Sequence, residues 1–383
     1  MKLLFLALLV AFPFGQLARL PLNIPSVNIY FHDLIIVLIL LTWLGWHLLQ
    51  KKKIKLPPLI KPILAFTAAA GFSLALAAPQ RSPRELLIGS LYLFRWLAYA
   101  GLYFVTYDLA KRLNGYQVRG LLAVGVASAV LGLLQYLFLP DTRFLYYSGW
   151  DDHYYRLIGT FLDPGFTGII YVLGLILLVA TFWNKFLKKK PIYYLLFIIY
   201  YSALALTYSR SAYLAYLVGM GVIAWKKKAP KFLALILGLF LITLLLLPRP
   251  SSEGVHLERK ASVTARASSW QKSLEIIKDH PLLGVGFNLY RYAQRDYGFL
   301  DQNWQVSHSA AGADNSLLFV LATTGVIGLI AYLWIWSSII SDQSLVIIAS
   351  FLALLTHSFF NNSLFYPWIM IWMWILAPSR FQF

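Results

Sequence analysis

Apolar residues run along this chain in long blocks, interrupted by short polar or basic gaps. Blocks fall near 3–17, 34–49, 59–78, 87–109, 120–139, 166–184, 191–208, 211–225, 231–248, 315–336, 343–360 and 363–377. A helix needs about 20 mostly apolar residues to cross a bilayer's hydrocarbon core. The pattern therefore predicts an all-α fold, a polytopic transmembrane helical bundle of about 12 spans. The one sizeable polar stretch is 249–314. Inside it, 264–278 reads as an amphipathic helix, because Trp270, Leu274 and Ile277 recur at helical spacing. Thr264 is its expected cap, and Pro281 with Gly284 and Gly286 its stop. Such a helix lies at the interface with its apolar face down, and Arg266, one turn before Trp270, shares that face. The chain divides into spans over 1–139, spans with intervening loop motifs over 140–248, the polar loop 249–314, and closing spans over 315–383.

Composition agrees with the bilayer as solvent. Of 383 residues, 60% are hydrophobic and 13% charged, with a mean hydropathy of +0.67; soluble domains carry roughly 25% charge. The 13 Trp, 24 Tyr and 26 Phe suit aromatic belts at both membrane faces. The net charge of +18 reads as topogenic. Lys51–Lys53 and Lys55 follow the second block, Lys111, Arg112 and Arg119 the fourth, Lys185 and Lys188–Lys190 the sixth, and Lys226–Lys228 with Lys231 the eighth. By the positive-inside rule these gaps are cytoplasmic, the N-terminus is cytoplasmic, and 140–165, 209–210 and 249–314 face outward. The first block also resembles a signal peptide but lacks a clear small-x-small cleavage site, so an uncleaved span is expected. No soluble basic face is present, so nucleic acid is not an expected partner. The absence of Cys excludes disulfides, thiolate metal sites and Cys nucleophiles.

The outward gaps collect arginines beside carboxylates and aromatics. Segment 140–165 holds Arg143, Asp151, Asp152, His153 and Arg156. Arg210 sits at a helix junction with almost no loop around it, a costly place for a charge unless it is paired, faces water or snorkels to headgroups. Arg266 lies on the loop helix, and His308, Asp314 and Asn315 precede the tenth block. Guanidinium groups bind phosphate oxygens through paired hydrogen bonds, and a His or a carboxylate of raised pKa can take a hydroxyl proton. Together these suit a diphosphate at the membrane surface with its lipid tail in the bilayer. The aromatics of 140–165, and those around Tyr290 and Trp304, are candidates for stacking on sugars. Asp314 with Asn315 equally suits a plain helix cap, and Asp151, Asp152 and His153, though able to hold a divalent metal, are read as a solvated loop.

Four stretches in order carry a family resemblance: RLIGTFLDPGFTG from Arg156, YSRSAYLA around Arg210, RASSWQKSLEIIKDHPLLGVG from Arg266, and DNSLLFVLATTGVIGL from Asp314. Over roughly 156–330 the chain resembles the bacterial O-antigen ligase and polymerase superfamily. The resemblance implies a multi-pass protein of the bacterial cytoplasmic (inner) membrane. It implies glycosyl transfer, metal-independent and without a cofactor, from a polyprenyl-diphosphate-linked glycan to a glycan or lipid acceptor. Arg210 and Arg266 would bind the diphosphate, with Arg156, Trp270 and Asn315 completing the substrate site. In the ligases the closing motif usually begins His-Asn or His-Ser. Here Asp314 precedes Asn315, so the base is Asp314, or His308 from upstream, or the chemistry differs. A transporter or flippase of lipid-linked oligosaccharide is the alternative, favoured by Arg95 in the middle of an apolar block. A protein O-glycosyltransferase shares the superfamily and differs in acceptor.

Overall fold

The computed structural model describes residues 1–21, 27–51, 56–113, 115–187, 190–300, 304, 311–341 and 344–378. The described chain is helical, with two isolated β-bridges, Arg19 to Tyr30 and Asp141 to Tyr154. The helices of the first half are α1 (Lys2–Ala11), α2 (Phe31–Leu49), α3 (Ile60–Leu76), α4 (Pro83–Leu113), α5 (Tyr116–Phe138), α6 (Pro164–Thr181) and the short α7 (Trp183–Leu187). Those of the second half are α8 (Pro191–Ala205), α9 (Arg210–Lys226), α10 (Pro230–Leu246), α11 (Ala261–Asp279), α12 (Tyr290–Asp296), α13 (Ser316–Ile340), α14 (Leu345–Ser358) and α15 (Pro367–Leu376). Every apolar block of the sequence holds one of these helices. Among the described residues, 6 helices are long and apolar enough to cross a membrane, and further apolar helices of 10–17 residues accompany them.

Local chemistry sets the helix starts. Proline opens α6, α8, α10 and α15, where its missing N–H costs nothing. Asp163, Ser209 and Asn315 cap α6, α9 and α13 with side-chain oxygens on backbone amides. A capping box between Tyr30 and Asp33 starts α2 upstream of the apolar block's edge. The loop helix α11 likewise begins earlier than Thr264 suggests. Lys260 is its N-cap, and the Thr264 hydroxyl donates back to Ala261 O at 2.9 Å from within the first turn.

The bundle is organised around α6 and α15. α6 packs against α5, α8, α9 and α14, and α15 against α4 and α5. Trp368, Ile371, Trp372 and Ile375 of α15 are all buried, as is nearly every residue of α6. Leu38, Leu41 and Leu48 of α2, and Leu241, Ile242 and Leu245 of α10, are exposed, as lipid-facing leucines should be.

Gly325 breaks α13 with φ +65° and ψ −170°, so this block is not the uninterrupted helix its hydropathy suggests. Residues 281–286 enter the break. The amides of Val285 and Gly286 donate to Ala322 O and Thr323 O, and Val326 N donates to Pro281 O. Ser73 of α3 adds its hydroxyl to Leu283 O and Thr323 O at 2.6 and 2.8 Å. Irregular backbone inside a membrane protein needs such internal partners. A Cβ on Gly284 would collide with the Thr323–Thr324 backbone, and one on Gly325 with that of Leu282. The Pro-x-x-Gly-x-Gly motif and the glycine of the following span thus form one packed joint that fixes α11 against α13.

Candidate functional site

A cavity of about 470 Å³ opens among the N-terminal ends of five helices. Tyr30 before α2, Asp163 before α6, Ser209 and Arg210 at α9, Asp314 before α13 and Tyr366 before α15 all line it. The peptide dipoles of these ends favour negative charge. The C-terminal ends of α2 and α9 carry Lys51 and Lys226–Lys228. Helices of 19 and 17 residues put those lysines roughly 25–29 Å away at 1.5 Å per residue. The cavity and the lysine clusters therefore occupy opposite ends of the bundle.

Among the described residues, five arginines line the cavity: Arg95, which is paired with Asp33, and the group Arg156, Arg210, Arg259 and Arg266. Within that group, Arg156, Arg210 and Arg259 grip backbone carbonyls. Arg156 Nε donates to Thr207 O at 3.1 Å, and Arg259 Nη2 to Tyr208 O at 3.1 Å. Arg210 Nη1 donates to Leu257 O and Arg259 O at 3.0 and 3.1 Å, and its Nη2 to the Ser262 hydroxyl. These bonds tie the 207–210 junction to the start of the loop helix without neutralising any charge. Arg266 stands over the Phe360 ring at 5.7 Å. Burial, with Arg259 beside it, pushes Arg156 down to about 9, and burial with Arg210 and Arg266 nearby pushes Arg259 down to about 10. At neutral pH Arg156 and Arg259 remain cations, and an anion in the cavity would offset both their burial and their mutual repulsion.

Three carboxyl groups share the space. Asp163 is buried behind its cap, accepting from Phe166 N at 2.8 Å, and burial raises its pKa. Burial also raises that of Asp151. Asp314 is pushed up to about 6, first by burial and further by Asp151 and Asp163, with Arg266 pulling the other way. The loop helix holds Asp314 in place: Trp270 Nε1 donates to its carbonyl at 3.3 Å, and its amide donates to Ser269 Oγ at 3.1 Å. Asn361 also lines the cavity, its amide donating to Ser211 Oγ at 3.0 Å.

A second, apolar groove of about 340 Å³ runs between α9 and α11, lined by Leu214, Val263, Ala267, Trp270 and Phe360. Arg210 and Arg266 line both spaces. They form the shared wall between a polar chamber and an apolar channel.

Of the residues singled out from sequence, Arg156, Arg210, Arg266 and Asp314 meet in the cavity, and Trp270 lines the groove. Asn315 faces its own helix, where its side-chain oxygen accepts from Leu317 N and Leu318 N at 2.9 and 3.1 Å. His308 lies outside the described residues. Arg143 pairs with Asp141 at 2.6 Å on the surface. Tyr290 is buried with its hydroxyl on Ser273, and Trp304 packs edge-on to Tyr292; neither lines the cavity. Arg95 does, beside Asp33, which it meets at 2.8 Å. Arg259 and Asp163 escaped the sequence reading. Asp163 had a signal, an Asp before the proline that opens a span; Arg259 had none beyond its charge. Among the described residues, no three His, Asp or Glu side chains assemble into a metal-binding group.

Fold and site together define a multi-pass helical membrane protein with an arginine-lined chamber at one end of its bundle. Comparison with known families makes the class more specific. Residues 192–333 match the Wzy_C family model, described as O-antigen ligase. That span runs from α8 into α13 and contributes Arg210, Arg259, Arg266 and Asp314; Arg156 and Asp163 lie upstream of it. No curated protein matches the chain.

Proposed function

We propose that this protein transfers or polymerises glycan from a polyprenyl-diphosphate donor to an acceptor hydroxyl, as an O-antigen ligase-like or polymerase-like enzyme of the bacterial cytoplasmic membrane. The observation that carries the reading is the shared wall. Arg210 and Arg266 stand between a cationic chamber and an apolar groove, and a lipid diphosphate has that same division of charge and hydrocarbon. Its tail would lie along Leu214, Val263, Trp270 and Phe360, its diphosphate against the arginines, and its glycan in the chamber. The topology that suits this has twelve crossings, a cytoplasmic N-terminus and lysine clusters, and the chamber on the outer side.

In the transfer, the bond from the sugar's anomeric carbon to the diphosphate oxygen breaks as the acceptor oxygen bonds to that carbon. The bond electrons leave with the diphosphate, and fixed guanidinium groups stabilise the charge it gains. Asp314, raised to about 6, is ionised at neutral pH and more basic than an ordinary carboxylate, and it takes the acceptor's hydroxyl proton. The proton then leaves Asp314 to solvent as the lipid diphosphate departs.

Transport of the same lipid is the second reading, because Arg95 sits within a candidate span and lines the cavity. Arg210→Ala and Arg266→Ala in living cells separate the two. Transfer predicts loss of surface polysaccharide, on the order of 10²-fold per arginine, with lipid-linked glycan accumulating on the outer leaflet. Accumulation on the inner leaflet would favour transport, and unchanged polysaccharide at normal expression would remove both arginines from the site.

A further inference from the structure

The chamber is larger than a diphosphate needs, and part of its wall comes from outside the family-matched segment. Asn28 and Tyr30 before α2, with Tyr92, Arg95 and Trp96 of α4, line it together. Arg95 lies over the Tyr92 ring at 5.1 Å and the Tyr30 ring at 5.6 Å. Its charge is balanced locally. Asp33 accepts from Arg95 Nη2 at 2.8 Å, from the Tyr99 hydroxyl at 2.6 Å and from Tyr30 N at 2.8 Å. Elsewhere in the cavity Arg156, Arg210, Arg259 and Arg266 outnumber the carboxyls Asp151, Asp163 and Asp314, and Arg156, Arg210 and Arg259 bond carbonyl oxygens rather than carboxylates. The cavity thus holds one cluster with an excess of positive charge and another that is polar, aromatic and close to neutral. The cavity also holds an unsatisfied polar group. His153 lines this cavity, and its Nε2 is buried with no hydrogen-bond partner among the described residues.

We infer that the Tyr30–Tyr92–Arg95 cluster is the acceptor subsite, binding a neutral oligosaccharide by ring stacking on Tyr92 and hydrogen bonds from Arg95 and Asn28. The inference rests on the proposed transfer reaction and extends it. Anionic ligand belongs with the unbalanced arginines, because the field there favours charge. A polyol gains little from such a field and more from flat aromatic surface with few, fixed polar groups. Asp33 is committed to Arg95, so it holds the planar guanidinium against the two rings and leaves this wall without net charge to attract a second diphosphate. His153, beside Arg156 and Arg259, would meet a sugar hydroxyl at the edge of the arginine cluster.

The test uses the full chain in lipid nanodiscs, lipid-linked donor extracted from the host, and oligosaccharide released from the host's own surface polysaccharide by mild acid. Half-saturating concentrations are measured for donor and oligosaccharide separately. Tyr92→Ala removes the platform, and Arg95→Lys keeps the charge facing Asp33 but loses the planar group. Both are expected to raise the oligosaccharide value about tenfold, the loss of roughly one stacking contact with its hydrogen bonds, and to leave the donor value within about twofold. Arg210→Ala is expected to do the reverse. Saturation-transfer NMR on the wild type should show sugar ring protons receiving magnetisation from protein aromatics, with the effect lost in Tyr92→Ala. If both variants saturate with oligosaccharide as the wild type does, or if the wild type shows no transfer to the oligosaccharide, the subsite assignment is overturned. If Arg210→Ala leaves donor saturation unchanged, the donor site fails instead, whatever the oligosaccharide does.

Discussion

Asp314 concentrates the chemical question at the scale of single residues. Its carboxyl is held up to about 6 by burial, with Asp151 and Asp163 raising it and Arg266 opposing. As a base it must be ionised, so activity should rise with pH through about 6 and fall away below it. Asp314→Asn should lower turnover by about 10²- to 10⁴-fold while donor binding persists. The sign for stability is opposite. A carboxyl whose folded pKa is raised loses stabilisation as pH rises through that value, so the same variant should melt no lower than the wild type at neutral pH. A rate-against-pH profile with a parallel melting curve reads both; full activity in Asp314→Asn would return the proton-accepting role to His308. Two of the cavity's key groups were legible because charge near hydrocarbon is conspicuous: Arg210 had no loop to explain it, and Arg266 sat on the apolar stripe of its helix. Asp163 and Arg259 were hidden for the opposite reason. Arg259 has ordinary loop neighbours, Asp163 reads as a helix cap before Pro164, and only the folding of 140–165 and 249–260 beside α9 gives them a shared field. Asn315 stood beside Asp314 in every sequence argument, yet its side chain is consumed by its own helix. A cap and a ligand are the same residue type until geometry separates them.

At the scale of elements, the joint between 281–286 and the broken α13 determines where the loop helix can lie. Gly284 at φ +68° and Gly325 at φ +65° each face backbone where a side chain would go. Gly284→Ala therefore combines a left-handed backbone with an overpacked contact, a cost of about 2–4 kcal/mol. In detergent it should lower the thermal midpoint clearly. Gly238→Ala, on α10 with nothing within 4 Å of the new methyl, should be neutral or slightly stabilising. Equal effects at the two positions would contradict the joint. Hydropathy located every long apolar helix because apolar length is a strong signal, while α11 showed only through its amphipathic spacing. The break escaped it, since a glycine in an apolar run reads the same whether it lies in a helix or interrupts one. The start of α11 moved for a similar reason: Thr264 can satisfy its hydroxyl on the first turn's carbonyls as well as by capping.

Across the whole molecule, the feature that matters is polarity along the bundle. The N-termini of five helices, the arginines and the carboxyls of the chamber collect at one end, lysine-bearing helix ends at the other, and the loop helix contributes Arg266 to the chamber wall. Alternating basic gaps made the two ends visible in sequence. The apolar groove was not visible, because Leu214 and Phe360 come from distant blocks and meet Val263 and Trp270 only in the fold. Donor binding at this site requires that groove and the chamber to share one arginine wall. Native mass spectrometry of the purified protein with a polyprenyl diphosphate tests it most directly. The wild type should retain the lipid, and Arg210→Ala with Arg266→Ala should lose it. Ala267→Trp, which fills the groove and leaves both guanidinium groups in place, should lose it as well. Retention of the lipid diphosphate by the double arginine variant at the wild-type level would contradict the account.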